Sequence, residues 1–228
     1  MKLYHHIHEA AFLYRSNRFI AHCLLNGEEV VCHVKNTGRC RELLIPGCTV
    51  WLEESNDPKR KTRFDLVCVS SRGYVVNMDS QAPNRVFEEW AAAGGLGFVP
   101  DTLKREVTFG QSRFDFSLQH DGKAGFAEVK GVTLFDDENR AFFPDAPTER
   151  GVKHIRELIA AKEADYESAI CFVLQRDNII SVSPNDITHP AFGDTLRLAH
   201  SRGVNIIGAV CHTTPDTLTI THTVPVIL

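Results

Sequence analysis

One stretch decides the fold of this chain: residues 113–130, which read RFDFSLQHDGKAGFAEVK. Its two halves alternate apolar and polar side chains with a period of two, which is typical of β-strands with one buried face. Phe114, Phe116 and Leu118 form the apolar face of the first half. Between the halves, Asp121-Gly122 tolerates the positive φ values of a two-residue turn. The stretch therefore predicts a β-hairpin.

The register of this hairpin brings two carboxylates together. If the turn has two residues, His120 pairs with Lys123, and counting back places Asp115 opposite Glu128. Two carboxylates at close range cannot both stay ionised without a raised pKa or a neutralising cation. A divalent metal would be such a cation, and two oxygen ligands suit Mg²⁺ or Mn²⁺. Lys130 shares the strand face of Glu128, close enough to steady a phosphate.

The same residues also fit an ordinary strand surface. Exposed strand faces often carry Asp, Glu and Lys, and a short Glu-x-Lys motif is a weak signal by itself. The hairpin pattern alone therefore leaves both interpretations open, and the rest of the chain has to distinguish them.

Length and composition bound the class of protein. The chain has 228 residues, of which 43% are hydrophobic and 24% charged, and its net charge is −4. No apolar run approaches the length of a membrane span, and the histidine-containing N-terminal segment does not resemble a secretory signal. Seven cysteines without a C-x-x-C pair fit reduced thiols. We expect a cytoplasmic protein of one large or two small domains, without membrane association.

Residues 1–80 have the pattern of a small β-rich module. Asn26-Gly27 is a strong hairpin signal, and further turn residues follow at regular intervals. The predicted strands are Phe19–Leu25, Glu28–Lys35, Thr49–Glu53, Arg63–Ser70 and Tyr74–Asn77. Five short strands of this kind predict an oligonucleotide-binding (OB) barrel.

Basic side chains lie in the loops of this module, whose net charge is slightly positive. Phosphate contacts are one interpretation of such loops. The candidates are Lys35, Arg39, Arg41, Lys59, Arg60 and Lys61. Charge alone also fits a solvated loop at residues 59–63, and that alternative stays open.

Residues 81–228 predict an α/β module built around the hairpin. Asn84 is a suitable cap for a helix that continues to about Ala93. Glu89 lies at the edge of the apolar stripe of this helix, so we expect its carboxylate to reach an interior or a cleft. The other predicted elements are strands at Lys104–Phe109, Arg113–Gln119, Gly125–Thr133, Ser168–Gln175 and Val204–Val210, an edge strand at Thr217–Val224, a polar loop at Phe135–Phe143 and a helix at Phe192–Ser201.

A further helix is predicted between the hairpin and the strand at Ser168. Asp145 is its expected cap, and Pro147 is tolerated in a first turn. Its polar face carries Arg150, Lys153 and His154 at spacings that place them together. A polyanion could lie on this face beside a bound metal; a solvated helix surface is the alternative.

Several motifs resemble the sugar fermentation stimulation protein family. They are NTGRC (36–40), SRFDF (112–116), AEVKGVTL (127–134) and FPDAPTERGVKHIREL (143–158). The resemblance covers nearly the whole chain. One departure is Gly131, where family members often have Ser; this position alternates to the opposite face from Glu128 and Lys130, so the change leaves the chemistry intact.

This resemblance implies an OB barrel followed by a restriction-endonuclease-like domain of the PD-(D/E)XK kind. It also implies a Mg²⁺-dependent nuclease or a DNA-binding protein, with a historical link to the regulation of sugar-utilisation genes. Matched by motif, Asp115, Glu128 and Lys130 would be the nuclease triad, and Glu89 the helix carboxylate.

The sequence thus predicts an α/β (α+β) protein, with an OB-like nucleic-acid-binding domain at residues 1–80 and a nuclease-like mixed-sheet domain at residues 81–228. Asp115, Glu128 and Glu89 are the expected ligands of Mg²⁺ or Mn²⁺, and Lys130 is expected to stabilise the attacked phosphate. The expected reaction is phosphodiester hydrolysis in DNA or RNA. A DNA-binding regulator that does not cleave is the competing hypothesis. Whether the protein forms a homodimer stays open.

Overall fold

A computed structural model describes residues 1–36, 38 and 40–228 of the chain. These residues form an N-terminal barrel and a mixed sheet with helices on both faces. The predicted fold class, an OB-like barrel followed by a mixed-sheet domain, is confirmed.

Five strands form the barrel. The strands of the N-terminal sheet are β1 (Ile7–Asn17), β2 (Ile20–Leu25), β3 (Glu28–Val34), β4 (Thr49–Glu54), β5 (Phe64–Ser71) and β6 (Tyr74–Asn77). Their order is β3-β2-β1-β4-β5-β6, and a parallel pairing of β3 with β5 closes the first five into a ring. Asn26 and Gly27 have φ values of 53° and 86°, as the predicted two-residue turn requires.

The first strand of the barrel was not predicted. β1 lies between β2 and β4 and is antiparallel to both, so it is central to the sheet. The prediction used Tyr74–Asn77 as the fifth strand, but this segment is β6, which extends β5 outside the closed ring. Only Ala10 and Phe12 of β1 are buried. Two buried positions in eleven residues give an alternation too weak to identify a strand.

The second sheet has six strands in the order β15-β14-β12-β9-β8-β7. The elements after the barrel are α1 (Ala82–Ala92), β7 (Thr102–Phe109), β8 (Ser112–His120), β9 (Lys123–Val132), β10 (Leu134–Phe135), β11 (Arg140–Phe143), α2 (Glu149–Glu163), β12 (Glu167–Leu174), β13 (Ser181–Pro184), α3 (Pro190–Ser201), β14 (Asn205–Thr213) and β15 (Leu218–Val224). β9, β12 and β14 are parallel, whereas β7, β8 and β15 pair antiparallel with their neighbours. The predicted polar loop Phe135–Phe143 is instead part of a small sheet, β10-β11-β13.

The first two helices, α1 and α2, do not begin at the predicted residues. α1 begins at Ala82 with Pro83 in its first turn, so Asn84 lies inside the helix and does not cap it. α2 begins after Thr148, whose Oγ1 accepts a hydrogen bond from the N–H of Gly151 at 3.0 Å. Thr148 therefore has the capping role that the sequence suggested for Asp145. In the described part of the chain, no helix has the length and apolar character that crossing a membrane requires.

The apolar core crosses the predicted domain boundary. One cluster runs from Leu66 in the barrel to Ile155 in α2 and Phe192 in α3. A second cluster lies under α1 and joins Phe87 to Val67 of the barrel strand β5. Residue 80 lies between β6 and α1, so the boundary separates the two sheets without separating their cores.

A buried arginine also connects the two modules. Arg176 lies two residues after the end of β12, and its side chain is 1% exposed. Its guanidinium carbon lies 4.4 Å from the ring centroid of Tyr74 in β6 and 4.8 Å from that of Phe135 in β10. It donates a hydrogen bond to the Asn139 side chain. Cation–π contacts on both sides thus hold the barrel sheet against the small sheet.

Candidate active site

The β8–β9 hairpin has the predicted turn and register. Residues 121 and 122 have φ values of 48° and 76°, which fit a two-residue turn, and regular pairing continues to Phe116–Ala127. At the next residue, Asp115, the regular backbone pairing stops. The side chain of Asp115 bonds to β9 instead, and its Oδ2 accepts a hydrogen bond from the N–H of Val129 at 2.8 Å. Asp115 therefore contacts β9 through its side chain, and the predicted pairing of Asp115 with Glu128 is not part of the regular ladder.

The alternation of side chains along β8 breaks at Asp115. Phe114 packs 5.2 Å from the ring of Phe126, in the cluster that contains α2. Phe116 packs 5.0 Å from Phe87 of α1, on the other face of the sheet. The prediction that Phe114 and Phe116 share a face is therefore wrong. On the neighbouring strand Glu106 has a φ of 56°, and the β7–β8 pairing omits the step at Asp115.

Glu128 is buried in the centre of the sheet, with 1% exposure. Its Oε1 accepts hydrogen bonds from Lys130 Nζ and from His154 Nδ1. Burial alone would raise the pKa of Glu128, but the hydrogen bond from His154 and the charge of Lys130 outweigh burial and lower the pKa. The other oxygen, Oε2, is buried and has no hydrogen-bond partner among the described residues. Glu128 is thus an ionised carboxylate, one oxygen of which is buried without a partner among the described residues.

His154 fixes the orientation of Glu128. Its Nε2 accepts a hydrogen bond from Arg150 Nε at 3.3 Å, so the neutral ring carries its proton on Nδ1, which faces Glu128. The sequence placed His154 on a phosphate-binding face with Arg150 and Lys153. The structure corrects this, because His154 is 6% exposed and lies beneath the carboxylate. The signal was present: His154 precedes Leu158 by one helical turn and so borders the buried stripe.

Asp115 has a different electrostatic environment from Glu128. Burial raises the pKa of Asp115, and the nearby charge of Glu128 raises it further. The hydrogen bond from Val129 opposes this rise, as does one from Asn84 Nδ2, which donates to Asp115 Oδ1 at 2.9 Å. Asn84 was not predicted in this role, because its side chain was expected to cap α1.

Glu89 does not join this group, contrary to the prediction. Its carboxylate lies 3.1 Å from the amino group of Met1, and its side chain is 46% exposed. Asn84 and Glu89 are five residues apart, which is about 140° around a helix, so α1 cannot direct both at Asp115. The described residues contain no cluster of three or more His, Cys, Asp and Glu side chains suited to a metal. Asp115 and Glu128 remain as the candidate ligand pair.

Two exposed cations of α2 lie next to this pair. Arg150 contacts His154, and Lys153 Nζ donates a hydrogen bond to the carbonyl of Gln111 at 3.0 Å. Within the described residues, neither side chain forms an ion pair with a carboxylate. Arg150 is thus linked to Glu128 through His154, whereas Lys153 contacts the turn between β7 and β8, and phosphate binding by either residue stays a prediction.

Two of the basic barrel residues bind buried carboxylates instead of facing solvent. Lys35 Nζ lies 2.7 Å from Asp79 Oδ2, and Arg60 Nη1 donates to Asp65 Oδ2 at 2.8 Å. These pairings correct the expectation that Lys35 and Arg60 contact phosphate, since a buried carboxylate requires a cation. The exposed residues of the predicted set are Arg41, Lys59 and Lys61, and Arg39 lies outside the described residues.

Replacing Arg60 with alanine is expected to lower the free energy of unfolding by about 1–3 kcal/mol at pH 7, because Asp65 loses charge-assisted hydrogen bonds. Burial alone would raise the pKa of Asp65, but Arg60 and His33 lower it. A carboxyl with a lowered folded-state pKa adds stability above its unfolded pKa of about 3.9, and this is lost as the pH falls further.

Urea unfolding of the wild type and the Arg60→Ala variant, at pH 7 and at pH 3, measures the difference between their free energies of unfolding. It should shrink at pH 3, whereas replacement of the exposed neighbour Lys61 with alanine should change stability by less than about 0.5 kcal/mol at either pH. Equal stability of wild type and the Arg60 variant at pH 7 would contradict the assignment.

Two family models and several known proteins are similar to this chain. Residues 13–78 match the family model described as the SfsA N-terminal OB domain, and residues 81–217 match the sugar fermentation stimulation protein RE domain. The sugar fermentation stimulation protein homologue of Desulfitobacterium hafniense (strain DSM 10664 / DCB-2) is 51% identical over 94% of this chain and 93% of its own. The homologue of Clostridium beijerinckii is 46% identical over 99% of both chains.

A solved structure is similar over the full length. It is that of Pyrococcus furiosus SfsA in complex with Ca²⁺, which is 26% identical, covers 100% of both chains and superposes with a TM-score of 0.89. Both modules and nearly all of the sequence are thus shared with these relatives, and the chain belongs to the sugar fermentation stimulation protein (SfsA) family.

Proposed function

We propose that the protein is a metal-dependent nuclease that hydrolyses phosphodiester bonds of DNA or RNA, with Mg²⁺ or Mn²⁺ as its cofactor. The observation that carries this proposal is the buried Oε2 of Glu128, which has no hydrogen-bond partner among the described residues. A buried carboxylate oxygen without a partner is costly unless a cation occupies the space beside it. Asp115 is the second carboxylate at this point, and its pKa is raised first by burial and then by the nearby charge of Glu128.

The donor set fits a hard divalent cation. Mg²⁺ commonly keeps several water ligands and is held by one or two carboxylates, which is what Asp115 and Glu128 offer. The Pyrococcus furiosus relative was solved with Ca²⁺, a cation that also prefers oxygen ligands. When bound, Mg²⁺ lowers the pKa of a coordinated water and neutralises charge on the phosphate.

The other side chains of the site have separate roles in this proposal. Lys130 has a side chain that is 17% exposed, so its ammonium can reach a phosphate oxygen and stabilise the negative charge that develops there. His154 and Asn84 hold Glu128 and Asp115 in orientation through their hydrogen bonds. Arg150 and Lys153 would contact the phosphate backbone on either side of the attacked bond.

Replacing Lys130 with alanine is expected to slow cleavage by roughly a hundredfold or more while binding is retained, because the ammonium acts mainly on the transition state. Cleavage of labelled single- and double-stranded DNA and RNA, with Mg²⁺ and with Mn²⁺, measures the effect. Lys123→Ala is the matched control, since Lys123 is an exposed lysine at the start of the same strand.

The outcomes separate the two candidate functions. A pure wild-type protein that binds nucleic acid but cleaves none with either metal would make the DNA-binding regulator the better description. A Lys130 variant that cleaves as fast as wild type would show that the reaction occurs elsewhere or comes from a contaminant.

A further inference from the structure

Three polar side chains form a hydrogen-bonded chain on the outer face of the barrel. Ser16 Oγ lies 2.7 Å from His22 Nε2, and His22 Nδ1 lies 2.8 Å from Glu29 Oε1. A hydroxyl, an imidazole that can accept its proton and a carboxylate that orients the imidazole are the parts of a hydrolase triad. We call these three residues the barrel triad. The proposed nuclease function uses none of them.

The pairing of β2 with β3 places the imidazole beside the carboxylate. His22 of β2 lies opposite Val31 of β3. Glu29 lies opposite Leu24, which is two residues further along β2 than His22. His22 and Glu29 are therefore diagonal neighbours on one face of the sheet, a distance that long side chains can bridge.

A β-bulge in β1 presents the hydroxyl. Arg15 pairs with Ala21, but Asn17 pairs with the very next residue of β2, Ile20. Ser16 is thus the extra residue, which the regular ladder leaves without a partner. Bulges redirect side chains and are over-represented next to active sites. The bulge explains how the Ser16 hydroxyl reaches the imidazole of the neighbouring strand.

Glu29 determines which ring nitrogen of His22 carries the proton. An exposed carboxylate is ionised at neutral pH and only accepts hydrogen bonds, so the neutral ring has its proton on Nδ1. The lone pair of Nε2 then accepts the hydrogen bond from Ser16. Tyr14 donates to the same Glu29 oxygen at 3.1 Å and stacks on the imidazole, with 4.2 Å between the ring centroids. His22 is therefore held in the orientation of a general base.

We propose that Ser16 is a nucleophile for acyl transfer, activated by His22 and Glu29, and that the barrel hydrolyses small esters with an apolar acyl group. The choice of acyl group follows from the surface next to the triad. Leu24 and Val31 are 40% and 45% exposed, and a small apolar group lying on them would cover apolar surface. The reaction requires neither a metal nor the candidate active site, so it is an activity in addition to the proposed nuclease.

The reaction balances without a further reactant except water. Ser16 Oγ forms a bond to the ester carbonyl carbon while its proton passes to His22 Nε2. The alcohol then leaves with that proton, and the acyl group stays on Ser16. A water molecule attacks the acyl carbon and gives a proton to His22, which returns it to the departing Ser16 oxygen. The products are a carboxylic acid and an alcohol.

Sulfonylation by phenylmethanesulfonyl fluoride and hydrolysis of para-nitrophenyl benzoate test the proposal. Both are measured in EDTA, so metal-dependent chemistry does not contribute. We expect peptide mass spectrometry to place the sulfonyl group on Ser16, and Ser16→Ala to abolish ester hydrolysis. His22→Ala should slow both reactions by roughly a hundredfold or more, because the general base is lost.

Two further variants test the third member and the specificity of the effect. Glu29→Gln keeps the size of the side chain, but an amide can also donate to Nδ1 and so favour the wrong tautomer of His22. Both rates should fall by roughly tenfold or more. Ser201→Ala removes an exposed serine at the end of α3 and should retain the wild-type rates. Circular dichroism of each variant checks that it is folded.

Three results would overturn the proposal. One is a sulfonyl group on Tyr14 instead of Ser16. Another is a His22→Ala variant that reacts as fast as wild type. The third is a wild-type protein that reacts no faster than a short serine-containing peptide, which would make the barrel triad a surface network of hydrogen bonds. None of these results depends on phosphodiester cleavage or on Lys130, so the nuclease proposal stands or falls separately.

Discussion

Replacing Glu128 with glutamine is expected to reduce metal-dependent cleavage by roughly a thousandfold or more. The substitution removes one of the two negative charges that would hold the metal, yet it preserves the volume of a side chain that is 1% exposed. The glutamine oxygen can still accept a hydrogen bond from His154 or Lys130. Its amide then places a donor where Oε2 lies, and an N–H group does not bind Mg²⁺.

Single-turnover cleavage and calorimetric titration of Mn²⁺ measure the two parts of this effect separately. Metal affinity and cleavage rate should both fall. Glu167→Gln removes the same charge from a side chain that is 52% exposed, and we expect wild-type rates from it. Cleavage within tenfold of wild type by the Glu128 variant would remove Glu128 from the reaction.

The second large effect is one of stability. Replacing Arg176 with alanine is expected to lower the free energy of unfolding by about 3–5 kcal/mol, because it removes a buried side chain and two cation–π contacts. For a chain of this length, that corresponds to a fall of roughly 6–20 °C in Tm. Tyr74 and Phe135 would be left facing a void between the barrel sheet and the small sheet.

Arg176→Met is the informative comparison. Methionine fills most of the space without a charge, and the Nε of Arg176 is buried without a hydrogen-bond partner among the described residues. Replacing a buried, incompletely paired ion with an apolar side chain of similar size is often close to neutral. In urea unfolding, wild type and Arg176→Met should therefore have similar free energies of unfolding, both well above that of Arg176→Ala. A loss of less than about 1 kcal/mol in the free energy of unfolding of Arg176→Ala would contradict the role of Arg176 in holding the two sheets together.

The local features of the fold could be predicted from the sequence, and the tertiary pairings could not. Asp121-Gly122 specifies its turn by backbone conformation alone, so the hairpin register was correct up to Phe116–Ala127. β1 was missed because it packs on neighbours at both edges while burying only two side chains. Its place depends on closure of the barrel, which no local pattern encodes.

The candidate site shows the same limit. Asp115, Glu128 and Lys130 lie on one hairpin, so the turn predicted that they lie close together, although the alternation along β8 breaks at Asp115. Asn84 was expected to cap α1, but the cap is Gln81, three residues earlier, so Asn84 lies inside the helix. Asn84 and Glu89 lie about 140° apart around α1, so only one of them can face Asp115, and the apolar stripe alone did not show which.

Charge patterns were ambiguous for a different reason. Lys35 and Arg60 have the same character in the sequence as Arg41, but each has a buried carboxylate beside it in the fold. Asp79 follows Lys35 by 44 residues, and no spacing rule connects residues so far apart. Only the three-dimensional structure separates cations that stabilise the protein from cations that remain available to a ligand.

The apolar cluster that joins the barrel to α2 has a consequence for hydrogen exchange. Leu66 of β5 and Ile155 of α2 belong to one packed unit, so the barrel cannot open without disturbing the support of His154 and Glu128. A cation held by the carboxylates stabilises only the closed arrangement, by an amount that grows with its concentration. If the proposed cation binds there, amide protons of the barrel strands should exchange more slowly in its presence, although the barrel contributes no ligand to the site.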